Sequence, residues 1–223
     1  MNVKLFVEAI VKFIVGVLII GLLIFLPAGT INYWTGWLFM GLLFIPMFIA
    51  GIVMMIKSPE LLKKRLKAKE KERKQKQVVL FSGLMFLAGF IISGLNYRYS
   101  WIILPNLVVI ISSVIFIVAY ILYAEVLREN VYLSRTIEVQ ENQKVVDTGL
   151  YGIVRHPMYA VTILLFLSMP LVLGSIISFV IFLVYPFIIA KRIKNEEEVL
   201  EKELEGYTEY KKKVKYKMIR FIW

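Results

Sequence analysis

The sequence predicts an all-α integral membrane protein: four single transmembrane helices, a C-terminal helical hairpin and a cytoplasmic C-terminal helix. Three observations carry that expectation. Of 223 residues, 59% are hydrophobic and the mean hydropathy is +0.74, against the roughly 45–50% apolar content of soluble domains. The chain nevertheless carries a formal charge of +11, so charge and apolar surface must be segregated along it. Finally, apolar runs of about 20 residues, the length that crosses a hydrocarbon core about 30 Å thick, recur.

Four runs meet that length plainly: Leu5 to Leu26, Trp34 to Ile56, Val78 to Leu95 and Ile102 to Ala124. In the first, Glu8 and Lys12 lie near the start, where long side chains reach the interface. The run Phe13 to Leu26 has the length of a signal-peptide core, but no clean small-x-small cleavage site follows and further spans do. A retained first helix is therefore expected. A fifth apolar stretch, Met158 to Ala190, is too long for one span and short for two. Pro170 and Gly174 lie near its middle and weaken a helix interior, so it reads as a tight hairpin.

The charges orient these spans. Ten basic residues fall in 57–77 and ten in 191–223, with Arg98 alone between the third and fourth spans. Basic loops mark the cytoplasmic side. Both termini, 57–77 and 125–157 are then cytoplasmic, and a hairpin keeps 191–223 there too. Segment 57–77 lacks the interleaved aromatics of a nucleic-acid patch and joins two spans. Contact with anionic lipid explains it better, and Leu61, Leu62 and Leu66 suggest a short surface helix within it. The expected partner of this segment is anionic lipid, with no nucleic acid.

Composition excludes several chemistries. With no cysteine, disulfides, Cys-ligated zinc, iron–sulfur clusters and thiol nucleophiles are ruled out. A single histidine, His156, rules out a multi-His metal site. The spans carry almost none of the buried ionisable groups that transporters need.

Polar chemistry concentrates instead in two blocks flanking the hairpin. In 145–159, Pro157 suits the first turn of a helix, which places His156 at a bend beside free N–H groups. Tyr151 and Tyr159 add aromatic faces, and Gly149 and Gly152 allow backbone to approach a ligand closely. In the second block Arg192 and Glu196 share a helix face at i, i+4, just past the apolar run. A hairpin returns its ends to one side, so the blocks can meet.

These residues resemble the isoprenylcysteine carboxyl methyltransferase family, related to the phospholipid N-methyltransferases. The matching signatures are Gly149-x-Tyr151, Arg155-His156-Pro157-x-Tyr159 and, a hairpin later, Arg192-Ile193-x-x-Glu196-Glu197-x-x-Leu200. Gly206-Tyr207-x-x-Tyr210 and the segment from Val214-x-Tyr216 to Trp223 continue the match. Weaker matches lie at 28–30, 59–62 and 94–96. The resemblance implies an S-adenosylmethionine-dependent methyltransferase without a Rossmann domain, its cofactor in a cytoplasmic pocket closed by the C-terminal helix. Residues 1–125 would form the membrane helices and 126–223 the methyltransferase core.

By the same resemblance, Tyr151, His156, Pro157, Met158 and Tyr159 contact the cofactor, and Gln143, Lys144, Val145 and Val146 hold its adenine end, with Gln140 as a further candidate. Arg192 orients the methyl acceptor, Glu196 holds the cofactor and serves catalysis, and Glu197 supports it. No metal is implied. The C-terminus departs from the family: Lys217 stands where Arg is usual, Arg220 where Pro is, and Glu205 where Pro is common. These departures are expected to affect the tail more than the pocket. A carboxylate acceptor needs no general base, which suits this residue set. Phospholipid or amine N-methylation, a membrane NADPH-dependent sterol-type reductase and a non-enzymatic adaptor remain as alternatives.

Overall fold

A computed structural model describes residues 3–66, 73–133, 137 and 139–223; residues 67–72 of the basic segment lie outside the described residues. Helices account for about three-quarters of the described backbone. They are α1 (Val3–Ala28), α2 (Trp34–Lys57), α3 (Pro59–Leu66), α4 (Arg73–Tyr99), α5 (Asn106–Glu129), α6 (Pro157–Val172), α7 (Ile176–Phe182), α8 (Tyr185–Glu203) and α9 (Tyr207–Lys213), with a 3-10 turn at Gly149–Gly152. Among the described residues, five helical segments are long and apolar enough to cross a membrane: α1, α2, α4, α5 and the run Ile176–Glu203 that joins α7 to α8. The chain is thus an all-helical, multi-pass membrane protein.

Long apolar helices bury only part of their surface on each other. Leu18, Leu22, Ile45, Ile110 and Ile121 remain exposed, as a lipid-facing surface requires, while Phe39, Phe90, Phe116 and Phe182 interlock inside. The fourth span begins at Asn106, not Ile102. Pro105, which has no N–H to donate, stands at the N-cap. The Asn96 side chain meanwhile donates to Ile102 O (3.0 Å) and accepts from Ile102 N (3.2 Å), holding 102 as loop.

The fifth apolar stretch is a hairpin. Its arms meet through the Phe166 and Tyr185 rings, 4.7 Å apart, and through Tyr185 donating to Thr162 Oγ1 at 3.3 Å. Pro170 sits inside the last turn of α6, so the helix ends soon after it. The reversal itself is Leu173–Gly174–Ser175, with Gly174 at φ +78°, a conformation glycine adopts without a Cβ clash. The second arm is not continuous. It breaks at Leu183–Val184, and Pro186 lies in the first turn of α8, a place that tolerates a missing N–H.

At the turn, Leu173 O accepts from the Tyr33 hydroxyl (2.6 Å) and the Thr35 hydroxyl (3.2 Å). Ser93 donates to Ser178 Oγ (2.9 Å), and Ser178 donates to Gly89 O (2.9 Å). A neutral, hydrogen-bonded cluster thus fastens the hairpin to α2 and α4. At the opposite end α8 runs past Ala190 into polar sequence. There Lys64 of α3 donates to Gln140 Oε1 of the loop after α5, and Lys191 lies 3.5 Å from Gln77 Oε1 of α4. The basic segments and the loop before the hairpin therefore share one end of the bundle. Glu203 ends α8, and Gly206 (φ +81°) turns the chain into α9.

Candidate active site

The open end of the hairpin joins the two polar blocks. His156 caps α6 with Pro157 behind it, so its side chain is fixed where the chain enters the helix. From α8, Glu196 and Glu197 point to either side of it. Glu196 Oε2 accepts from the Tyr159 hydroxyl at 2.5 Å, and that hydroxyl accepts from Arg192 Nε at 2.9 Å. The His156 and Tyr159 rings stack 5.7 Å apart. Arg192, Tyr159 and Glu196 thus form one chain of charge-assisted hydrogen bonds spanning both arms, the short and strong kind.

Glu197 lies behind this chain. It is buried, with Arg155 Nε at 2.8 Å and His156 Nε2 at 3.2 Å from Oε1, and Lys217 Nζ at 3.7 Å from Oε2. Burial by itself pushes its carboxyl up. The hydrogen bonds and charges of His156 and Arg155 outweigh that and hold it at about 2, below the ordinary 4.5. Arg155 also donates to Val214 O (2.7 Å) and Lys215 O (2.8 Å). Its backbone N–H donates to Tyr216 O, and that of His156 to Lys217 O. The tail is therefore bound to the site's inner wall. Lys217, one of the departures, faces Glu197 from the tail.

In front of these groups lies a cavity that opens to solvent. Ten of the residues proposed from sequence line it: Gln143, Lys144, Val145, Val146, Tyr151, His156, Met158, Tyr159, Arg192 and Glu196. Three do not. Gln140 faces outward, bonded to Lys64 and to Tyr132 O. Pro157 is buried as the first residue of α6, and Glu197 supports Arg155 and His156 from behind. The glycines are also spent differently from expectation. A Cβ on Gly149 (φ +53°) would stand 1.6 Å from Glu129 Oε1, and one on Gly152 3.1 Å from Asp147 O. Gly149 makes room for the Glu129 carboxylate, which accepts from Leu150 N, and both glycines serve the loop's own backbone.

Sequence reading missed part of the wall: Asn130, Tyr132, Leu133, Ile137, Arg155, Leu200, Leu204, Tyr207 and Tyr210. The Tyr207-x-x-Tyr210 spacing was the available signal, since i, i+3 residues share a helix face. Tyr210 donates to Tyr151 O at 2.8 Å, which pins α9 over the cavity. The Tyr207 hydroxyl is buried with no hydrogen-bond partner among the described residues. Burial first, then the nearby Glu197 and Glu196, push it well above the usual range for tyrosine, so it stays a neutral donor. An orphaned donor on a cavity wall is costly unless a ligand satisfies it.

Residues 107–202 match the model of the isoprenylcysteine carboxyl methyltransferase family. The matched segment runs from α5 through nearly all of α8 and contains both polar blocks, which supports the chain's being a member of that family. No curated protein sequence matches the chain.

Proposed function

With the α5–α8 segment taken as a member of that family, we propose that the protein is a membrane-embedded methyltransferase. It uses S-adenosylmethionine and acts on a lipophilic acceptor, with carboxylate O-methylation as the reaction. One observation carries this reading most: the two polar blocks, 33 residues apart along the hairpin, converge as the Arg192–Tyr159–Glu196 chain on the wall of one cavity. The family implies this cofactor, and the cavity's chemistry suits it. Val145, Leu200 and Leu204 offer apolar surface for a flat base, Glu196 a carboxylate for a cationic or hydroxyl group, Lys144 a cation for a carboxylate, and Tyr207 an unsatisfied hydroxyl. Aromatic faces of Tyr151 and Tyr207 favour a positive centre. When bound, the cofactor supplies an already activated methyl group.

The protein's own task is then positioning and exclusion of water. Tyr159 fixes Glu196 and Arg192 relative to each other. Glu197 and Arg155 lock the orientation of His156. Arg192, at the border between apolar arm and cavity, is placed to orient an acceptor carboxylate, which is ionised at neutral pH and needs no base. The tail and α9 close the far wall. The basic segments at the same end of the bundle support a cytoplasmic cavity by the charge rule.

The test is calorimetric titration of S-adenosylmethionine into the purified protein. Binding should occur and fall at least tenfold in His156→Ala and Glu196→Ala; absent binding in the wild type, or full binding in both variants, refutes the reading. Transfer of labelled methyl into membrane extracts then defines the acceptor. Base-labile label released as methanol indicates an ester, and base-stable label indicates an amine or carbon acceptor.

A further inference from the structure

The surface helix α3 is linked to the cavity wall through Gln140. Leu61 and Leu62 are buried, so α3 is anchored. Its C-terminal carbonyl, Leu66 O, accepts from Lys12 Nζ of α1 at 2.8 Å, and Lys12 pairs with Glu8 at 2.6 Å. Arg65 lies over the Tyr123 ring of α5, 5.4 Å from its centroid. With α1 and α5 fixing its place, α3 presents Lys63, Lys64 and Arg65, next to Lys57 at the end of α2, against the one carboxylate of Glu60, directly after the end of a membrane span. Lys57 and Lys63 are exposed.

Lys64 differs from its neighbours. It donates to Gln140 Oε1, and Gln140 Nε2 donates to Tyr132 O at 2.5 Å. Gln140 N accepts support from Gln143 by donating to its Oε1 at 2.9 Å, and the Tyr132 hydroxyl donates to Asn142 O at 3.3 Å. Tyr132 and Gln143 line the cavity. An ammonium group has three donors, and Gln140 uses one of them. A phosphate bound on the outer side of α3 can therefore take the others without displacing Gln140, and Lys64 then bridges lipid and wall.

We infer that anionic phospholipid headgroups bind at α3 and, through the Lys64–Gln140–Tyr132 link, rigidify the loop that forms one wall of the cavity. The attraction is electrostatic, as for other basic segments at an anionic membrane surface, but only Lys64 transmits it. The wall matters to catalysis only if the proposed cofactor reading holds, so the test omits the cofactor.

Amide hydrogen exchange is measured on the protein in nanodiscs of phosphatidylcholine alone and with one-quarter phosphatidylglycerol. Exchange at residues 130–133 and 139–146 should slow at least threefold with the anionic lipid, and high salt should erase the difference. Lys64→Gln and Gln140→Ala should lose the response, while Lys63→Gln, with the same charge loss, should retain it. Unchanged exchange in the core of α5 shows that each variant is folded. No response in the wild type, or an equal loss in Lys63→Gln and Lys64→Gln, overturns the inference.

Discussion

The two ends of the hairpin each hold a buried polar cluster, and the clusters have opposite character. At the turn, Tyr33, Thr35, Ser93, Ser175 and Ser178 are uncharged and bonded to one another or to backbone. At the open end, Arg155, His156, Glu196 and Glu197 are ionisable, and the Tyr207 hydroxyl beside them has no partner among the described residues. A saturated neutral cluster in a membrane protein is a fastening: its members replace water for backbone carbonyls the turn leaves unpaired. A charged cluster with an unsatisfied donor facing an open cavity is built for something that arrives later. Saturation, rather than polarity, separates structure from function here.

Substitutions test that contrast. The largest effect is expected from Arg155→Ala, which leaves buried Glu197 short of its main cation and frees the carbonyls of Val214 and Lys215. Breaking a buried pair costs about 3–5 kcal/mol, to be read as a large fall in thermal midpoint in detergent. The same pair sets an acid limit. Because folding lowers the Glu197 carboxyl from 4.5 to about 2, its contribution is complete above pH 4.5 and is lost as pH falls toward 2. A stability–pH profile should show that limb, and Glu197→Gln should remove it. Gly149→Ala comes next, at about 1–3 kcal/mol, since a positive φ and the Glu129 carboxylate both oppose a Cβ.

The sharpest comparison is between two chemically identical changes. Tyr33→Phe removes a satisfied donor at the turn and should cost about 1 kcal/mol while leaving cofactor affinity unchanged. Tyr207→Phe removes an unsatisfied one. It should leave stability within about 0.5 kcal/mol and weaken S-adenosylmethionine binding about fivefold, the worth of one neutral hydrogen bond. Equal stability losses in the two would erase the distinction between fastening and site.

Much of the fold was legible because a bilayer imposes length. Runs near 20 residues, charge placed at their ends and a Pro/Gly-marked 33-residue stretch leave few arrangements. The break at Leu183–Val184 and the start of α5 at Asn106 were less visible: Pro186 follows the first, and Pro105 together with the hold of the Asn96 side chain on Ile102 sets the second. Within the site, motif residues clustered as expected wherever helix periodicity set their direction, as for Arg192 and Glu196. Direction was lost where it depends on a distant partner. Gln140 turns outward because Lys64 is there, and Glu197 turns inward because Arg155 is. Gly149 makes room for a carboxylate 20 residues earlier in the chain.

The first arm of the hairpin has a mechanical consequence. At 16 residues and about 1.5 Å per residue, α6 rises only about 24 Å, short of a hydrocarbon core about 30 Å thick. With its turn tied to α2 and α4, the arm cannot lengthen. Either the bilayer thins around it or its open end rides below the level of the surrounding headgroups. Both bring the mouth of the cavity toward the depth at which a lipid's polar group sits. The chain thus carries a short ruler beside long ones, and acyl-chain length becomes a control on how far an amphiphile must climb to be reached.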